Sequence, residues 1–208
     1  MKKINVFILI IIFSLNCKLL LADDFINWKK QFKKYAIEEG ISKKTVELLI
    51  NNSKFLPNVI KYDRYQPEFY EDTKTYITKR TSNNKLKQGI TLYKKENEII
   101  NKISNEYGVN KNLLLALMGI ETNFGNYLGK MDIVSSLATL SFDKRRSEFF
   151  TSELIILLKL VDNQIVDPNL LYGSWAGAFG NFQFMPSTID TYAIDYDKNN
   201  AVELKKID

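Results

Sequence analysis

Residues 113–125 read LLLALMGIETNFG, and this stretch decides the expected fold class. Its apolar residues recur with helical spacing, which predicts a strongly hydrophobic helix in a mostly helical protein. Glu121 lies at the C-terminal end of that helix. Leu117 and Met118 precede it by about one turn and Phe124 follows it, so we expect the glutamate to share the apolar side of the helix.

The expected position of Glu121 is unfavourable for a charged carboxylate. A helix C-terminus carries partial negative charge and apolar surroundings hold little water, so both favour the protonated side chain. We therefore expect a raised pKa, and a carboxylic acid that stays neutral near neutral pH can donate a proton to a glycosidic oxygen. The alternative is that the side chain bends into solvent, as most glutamates do, and has no function.

The composition indicates one helical domain. The chain has 208 residues, of which 45% are hydrophobic, while glycine (9) and proline (4) are scarce. A loop with a short turn is expected around Pro57 and Pro67, and another turn at Asp167–Pro168. Apolar periodicity predicts helices over Asp24–Glu39, Glu68–Lys79, Ser82–Tyr107, Asp132–Leu140 and Arg146–Val161. Capping residues predict that further helices begin at Ser42, Asn110 and Pro186. In the helix that begins at Pro186, we expect Ile189, Tyr192 and Ala193 to point inward.

Missing residue types exclude several classes of site. The sequence contains no histidine, which excludes Ser-His-Asp and Cys-His nucleophile systems and histidine metal sites. Cys17 is the only cysteine, so a disulfide framework and a cysteine zinc cluster are excluded as well. The net charge is +5, but residues 1–22 carry three lysines and no acid, so the rest of the chain carries only +2. That charge gives no reason to expect a nucleic-acid partner.

Residues 1–22 have the composition of a secretory signal peptide. Two lysines precede the apolar run 4–15, which is too short to span a membrane. We therefore predict an exported, periplasmic protein whose mature part is 23–208. The alternative is an outer-membrane lipoprotein with a lipid on Cys17, and membrane association is expected only in that case.

Glycine is concentrated around one locus. Six of the nine glycines lie between residues 119 and 180, three of them in the segment GSWAGAFGNFQFMPST (173–188). Such a concentration indicates close approach of backbone segments. Gln183 could hydrogen-bond a sugar acetamido group, and Trp175 could cover the face of a sugar. A tight contact between helices with aromatic packing is the alternative.

Two adjacent arginines, Arg145 and Arg146, lie at the predicted start of a helix, where the helix dipole disfavours positive charge. A carboxylate on a sugar or peptide ligand would explain them. An ion pair with Glu148 or Asp143 on the protein surface is the commoner explanation, and the sequence leaves both open.

Three ordered motifs carry a family resemblance. They are IETNFG (120–125), SSLATLSFDKRRSEFF (135–150) and, above all, the glycine-rich segment 173–188. Together with NWKKQF (27–32) and IKYDRYQPEF (60–69), they resemble the membrane-bound lytic murein transglycosylase B family, glycoside hydrolase family 103. The resemblance extends over nearly all of the chain that follows the signal peptide.

The resemblance implies an all-α, goose-lysozyme-like catalytic core that acts on peptidoglycan glycan strands and requires no cofactor. Glu121 matches the family's single catalytic acid/base, while Ser174 and Gln183 match substrate-binding positions. Arg145 and Arg146 match the family's paired arginines and are expected to bind substrate. The implied reaction cleaves the β-1,4 bond between N-acetylmuramic acid and N-acetylglucosamine and leaves 1,6-anhydromuramoyl ends.

The resemblance also divides the chain into an N-terminal helical part (23–108) and a catalytic core (109–208), which is shorter at its C-terminus than in the family. Because of that shortness, the activity of the chain is open. A hydrolytic muramidase on the same fold is one alternative. A non-catalytic peptidoglycan-binding protein, or a decayed fragment of such an enzyme, is the other.

The last residues resemble the family's calcium loop. Ligand positions one, three and five hold Asp195, Asp197 and Asn199. Asn200 replaces the usual glycine, and Lys206 occupies the position of the bidentate acid. A polar turn without calcium is therefore the favoured interpretation, and calcium is the alternative.

Overall fold

A computed structural model gives the structure of residues 23–66, 69–196, 198–199 and 202–205. Within this part the chain is all-α apart from one short β-ribbon. The helices are α1 (residues 23–38), α2 (Lys43–Asn52), α3 (Pro57–Arg64), α4 (Thr73–Arg80), α5 (Asn83–Lys95), α6 (Asn97–Tyr107), α7 (Lys111–Thr122), α8 (Ile133–Phe142), α9 (Ser147–Asp162) and α10 (Pro186–Tyr192). The residues named above that lie outside it are the predicted signal 1–22 with Cys17, Pro67, Glu68, Asp197, Asn200 and Lys206.

Local signals fix several helix ends. The Ser42 side chain accepts a hydrogen bond from the Thr45 N–H at the start of α2, as predicted. Asn110 caps α7 by accepting from the Asn112 N–H at 2.8 Å. Gly108 adopts the left-handed conformation (φ +66°) that ends α6. Within the described residues, none of the helices combines the length and the hydrophobicity that a membrane span requires.

Helices α8 and α9 form the centre of the fold. Every residue from 133 to 141 is buried, and the apolar run 154–160 of α9 is buried on nearly all sides, as predicted. α2 and α3 pack on α8, and α10 packs on α9. One hydrophobic cluster includes residues from both sides of position 108. The two parts predicted from the sequence therefore share a core, and their division stays a prediction.

A second group of helices, α5, α6 and α7, packs together. The ring of Phe124 lies between α5 and α7, against Gly89 and Gly119. A Cβ at Gly119 would come within 2.6 Å of that ring, so only glycine lets the ring lie against the helix backbone. Lys85 of α5 donates from Nζ to the Gly119 carbonyl at 2.8 Å. These contacts hold α5 against the last turn of α7, where Glu121 lies.

A two-stranded antiparallel ribbon joins the chain after α7 to the glycine-rich segment. Its strands are β1 (Met131–Asp132) and β2 (Tyr172–Gly173). A side chain at Gly129 would overlap the Gly173 carbonyl. The close backbone approach predicted from the glycines is confirmed at this point.

Four predictions about the helices are wrong. The helix predicted from Glu68 begins only at Thr73, because the Asp72 side chain caps it there by accepting from the Thr75 N–H. The loop predicted around Pro57 is the helix α3, because the φ angle of proline and its missing N–H suit a first helical position. The single helix predicted over Ser82–Tyr107 is two helices, since the chain breaks at Glu96 (φ −113°, ψ 26°). Tyr192, predicted to point inward, is largely exposed because it ends the short helix α10.

Candidate active site

Glu121 lies one residue before the end of α7, and its side chain is exposed. The buried residues of α7 are Met118, Gly119 and Thr122, so the glutamate flanks the apolar stripe and does not lie within it as predicted. Partial burial of the carboxyl still raises its pKa, in the predicted direction. Among the described residues, none donates a hydrogen bond to this carboxyl or forms an ion pair with it. The carboxyl is therefore accessible, and burial favours its protonated form more than in a free glutamate.

The Thr122 hydroxyl joins the end of α7 to the glycine-rich segment. It donates to the Asn181 carbonyl at 2.8 Å and accepts from the Gly125 N–H at 3.0 Å. The Thr122 carbonyl accepts from the Tyr127 N–H at 2.9 Å. These bonds place Glu121, the preceding residue, close to the glycine-rich segment.

Gln183 lies in the glycine-rich segment in a left-handed conformation (φ +50°). Its side-chain amide donates to the Leu128 carbonyl at 3.2 Å and to the Gly180 carbonyl at 2.9 Å. The donors predicted to bind a sugar acetamido group are thus engaged by the protein's own backbone. The amide oxygen accepts no hydrogen bond from any described residue, so it is available to a ligand.

Ser174 also stabilises the loop in which it lies. Its hydroxyl accepts from the Ala178 N–H at 3.0 Å, and its own N–H donates to the Ala178 carbonyl at 2.8 Å. Trp175 packs against the hydrophobic core, with its ring 6.5 Å from the ring of Tyr62 on α3. The structure brings Ser174 and Gln183 into one loop that is joined to the end of α7. Their contact with substrate stays a prediction.

Arg145 and Arg146 pair with a residue that the sequence did not indicate. The Arg145 Nε lies 3.2 Å from one carboxylate oxygen of Asp63, and Arg146 contacts the other. Asp63 belongs to α3 and is only 1% exposed. The ion pairs of Asp63 with the two arginines therefore fasten α3 to the connection between α8 and α9.

The two partners predicted for these arginines have other surroundings. Asp143 pairs with Arg64 of α3 at 2.9 Å. Arg145 donates to Asp143 through its backbone N–H and not through its side chain. Glu148 is exposed and forms no ion pair within the described residues. The predicted surface ion pairs are wrong because α3 packs on α8 and brings a carboxylate from far along the chain. Both guanidinium groups stay partly exposed, and their binding of a ligand carboxylate stays a prediction.

Glu121 lines neither of two cavities in the described part of the chain. A cavity of about 470 Å³ lies between α5 and α7, and Gly119 and Ile120 line it. A cavity of about 560 Å³ is formed by the glycine-rich segment, α10 and residues 202–204. The two residues that precede Glu121 therefore line the α5–α7 cavity.

The loop after α10 contains part of the predicted calcium ligand set. The Asp195 carboxylate accepts from the Asn199 N–H at 3.1 Å, so the loop closes on itself. Asp197 lies outside the described residues, within which no three His, Cys, Asp or Glu side chains are placed to hold a metal. Calcium takes about six to eight oxygen ligands, of which the described residues contain only part, so calcium binding stays a prediction.

Two residues that shape the site, Thr122 and Asp63, were not singled out from the sequence. Thr122 follows Glu121 directly and lies one turn after Met118, so helical spacing contained a signal for it. Asp63 gave no local signal, because its arginine partners lie 82 and 83 residues away.

The sequence and the fold both match known proteins. Residues 24–207 match the family model described as Transglycosylase SLT domain. The chain belongs to this transglycosylase family. The chain is 35% identical over 130 residues to membrane-bound lytic murein transglycosylase B of Escherichia coli strain K12. The matched residues cover 62% of this chain and 36% of the Escherichia coli protein.

Two solved transglycosylases share the fold. SltB3 from Pseudomonas aeruginosa, solved with NAG-NAM-pentapeptide, matches with a TM-score of 0.82 at 30% identity, over 86% of this chain and 48% of that one. It has also been solved with NAG-anhNAM-pentapeptide. The Escherichia coli lytic transglycosylase Slt35 in complex with calcium matches with a TM-score of 0.74 at 31% identity, over 86% and 57%. The predicted all-α, lysozyme-like fold is confirmed, and the chain spans about one third to just over half of these relatives' length.

Proposed function

We propose that this chain is a peptidoglycan lytic transglycosylase with Glu121 as its single acid/base. It cleaves the β-1,4 bond between N-acetylmuramic acid and N-acetylglucosamine and forms 1,6-anhydromuramoyl ends. The observation that carries the proposal is an accessible carboxyl with a raised pKa and no partner among the described residues. Thr122, the next residue along the chain, joins the end of α7 to the glycine-rich segment.

The reaction needs one group that first gives and then takes a proton. Protonated Glu121 donates to the glycosidic oxygen, the bond from that oxygen to C1 of the muramoyl sugar breaks, and N-acetylglucosamine leaves as an alcohol. The muramoyl acetamido group shields the cationic C1, so a second enzyme carboxylate is not required. Ionised Glu121 then removes the proton of the C6 hydroxyl as O6 bonds to C1. Water is not consumed, and no cofactor takes part.

The relatives support the choice of substrate. SltB3 has been solved with a muropeptide and with an anhydromuramoyl counterpart. Residues 1–22 have the composition of an export signal, which would place this protein in the periplasm with the glycan strands. Membrane attachment would require a lipid on Cys17.

The deciding experiment incubates residues 23–208 with purified sacculi and identifies the released fragments by mass spectrometry. We expect anhydromuramoyl products from the unmodified protein. Glu121→Gln should release at least about a hundredfold less, because an amide cannot donate the proton. Glu148→Gln is the matched control, since Glu148 is an exposed glutamate without an ion pair among the described residues. It should leave release unchanged.

The products separate the rival functions. Reducing muramic acid ends would identify a hydrolytic muramidase. Binding to insoluble sacculi without release of fragments would identify a non-catalytic wall-binding protein. Undiminished release by Glu121→Gln, with unchanged circular dichroism, would remove Glu121 from the mechanism.

A further inference from the structure

We propose that Thr122 is a positioning residue, which fixes Glu121 relative to the glycine-rich segment through its bond to the Asn181 carbonyl. The inference rests on the proposed function, in which Glu121 is the acid/base. Thr122 itself is 1% exposed and cannot touch a sugar. Any effect of this side chain on catalysis must therefore pass through Glu121 or the loops around it.

The hydroxyl of Thr122 has one proton and two acceptors within reach. The Asn181 carbonyl lies at 2.8 Å and the Met118 carbonyl, in the preceding helical turn, at 3.2 Å. The shorter distance favours the bond that leaves the helix. The oxygen of the same hydroxyl accepts from the Gly125 N–H at 3.0 Å. One buried side chain thus satisfies backbone groups on both segments that flank the site.

The Asn181 backbone is itself held in place. Its N–H donates to the Leu204 carbonyl at 2.8 Å, and the Thr122 carbonyl accepts from Tyr127. Thr122 therefore lies where α7, the loop after it and the glycine-rich segment meet. Glu121 shares a peptide bond with Thr122, so a displacement of one moves the other.

Removing the hydroxyl would break its bonds to the buried Asn181 carbonyl and to the partly buried Gly125 N–H. The end of α7 would shift or admit water to restore their bonds. The charged Lys85 side chain of α5 is bonded to the last turn of α7, where Glu121 lies, through the Gly119 carbonyl. Added water around Glu121 would bring its pKa down toward the ordinary glutamate value. A misplacement of about 1 Å can reduce a rate by about a hundredfold.

The test compares Thr122→Val with Thr139→Val in the purified protein. Thr139 is a matched control, because it is fully buried in α8 and its hydroxyl oxygen accepts from the Leu56 N–H at 3.0 Å. It makes no hydrogen bond to α7 or to the glycine-rich segment. Valine has the shape of threonine, so both variants lose a buried hydroxyl and little volume. Thr122→Ser restores the hydroxyl, and Thr122→Ala replaces Thr122→Val if the valine variant does not fold.

We expect Thr122→Val to lower kcat about 10- to 100-fold on glycan strands while KM changes less than about threefold. Thr122→Ser should recover most of the rate, and Thr139→Val should keep it. Nuclear magnetic resonance titration of the Glu121 carboxyl should show a lower pKa in Thr122→Val and none of this change in Thr139→Val. Equal losses of kcat in the two valine variants, or an unshifted Glu121 titration in Thr122→Val, would overturn the proposal. An unmodified protein that releases no anhydromuramoyl product refutes the proposed function, and the titration still decides whether Thr122 positions Glu121.

Discussion

Helices α7 and α8 are both strongly apolar in sequence, yet they are buried to very different extents. Every residue of α8 from 133 to 141 is buried, whereas α7 has three buried residues. Leu113 of α7 is 65% exposed and Ile120 is 48% exposed. α8 is packed against α2, α3 and α9, while α7 packs mainly against α5 and α6. An apolar sequence therefore indicates that a helix can be buried, and its neighbours decide which faces are covered.

This difference separates the part of the molecule that supplies stability from the part that carries the proposed chemistry. A carboxyl placed among the residues of α8 would be out of reach of a glycan strand. At the end of α7, Glu121 is partly buried, which raises its pKa, and still exposed enough to meet a substrate. The incompletely covered helix is the one on which an acid catalyst is useful.

The largest effect on stability should come from the buried core. Leu157→Ala in α9 removes a fully buried side chain, and we expect it to lower the free energy of unfolding by about 2–5 kcal/mol. Leu113→Ala makes the same change on the exposed face of α7 and should cost less than about 0.5 kcal/mol. Urea unfolding followed by circular dichroism measures both. Similar losses in the two variants would mean that the exposed face of α7 is covered in solution.

The second-largest effect on stability should come from Asp63, which is buried on α3 where that helix packs on α8. Asp63→Asn removes the carboxylate that Arg145 and Arg146 share. Breaking a buried ion pair costs about 3–5 kcal/mol. Because the two guanidinium groups stay partly in water, we expect a loss of about 2–3 kcal/mol in the same unfolding experiment.

Asp143→Asn is the control for this variant, since the Asp143 side chain is 15% exposed against 1% for Asp63, and its partner Arg64 is about half exposed. It should cost less than about 1 kcal/mol. If Asp63→Asn were no more destabilising than Asp143→Asn, the Asp63 cluster would not fasten α3 to the core. The arginines would then be free for a ligand.

A smaller effect is expected from Gln183, on the loop that adjoins α7. Gln183→Ala removes the hydrogen bonds to the Leu128 and Gly180 carbonyls, which should cost about 1 kcal/mol. Turnover on glycan strands should weaken, because the loop beside Glu121 loses its support. Gln88→Ala on the exposed side of α5 is the control and should change neither quantity. Unchanged kinetics in Gln183→Ala would show that this amide neither contacts substrate nor supports the site.

Much of the fold could be predicted from local signals, because helix ends depend on single residues such as Ser42, Gly108 and Asn110. Contacts between distant segments could not be predicted. Asp63 gives no sign in the sequence that it meets arginines 82 and 83 residues later. The burial of α7 was overestimated for the same reason, since hydropathy says nothing about which neighbours are present. The direction of the Glu121 pKa shift could be predicted, because apolar residues nearby on the same helix indicate partial burial, and partial burial raises the pKa of a carboxyl.

The smallest effect is the pH dependence contributed by Glu121. Burial raises its pKa in the folded protein above the value in the unfolded chain. Between these two values the folded state binds more protons, so the stabilisation is complete below the unfolded pKa and is lost as pH rises through the folded pKa. The same proton is needed for cleavage, so kcat/KM should fall as pH rises through the folded pKa.

Glu121→Gln separates this contribution from those of the other carboxylates. Subtracting the unfolding free energies of the variant from those of the unmodified protein, across pH, should give a difference that falls only between the unfolded and folded pKa values and stays level below and above them. The difference should be small, because the exposed side of the carboxyl is solvated. A difference of opposite sign, with stability rising as pH increases through the window, would mean that Glu121 is stabilised as an anion. It would then resemble a surface glutamate, and the contrast between α7 as a site and α8 as a core would lose its chemical basis.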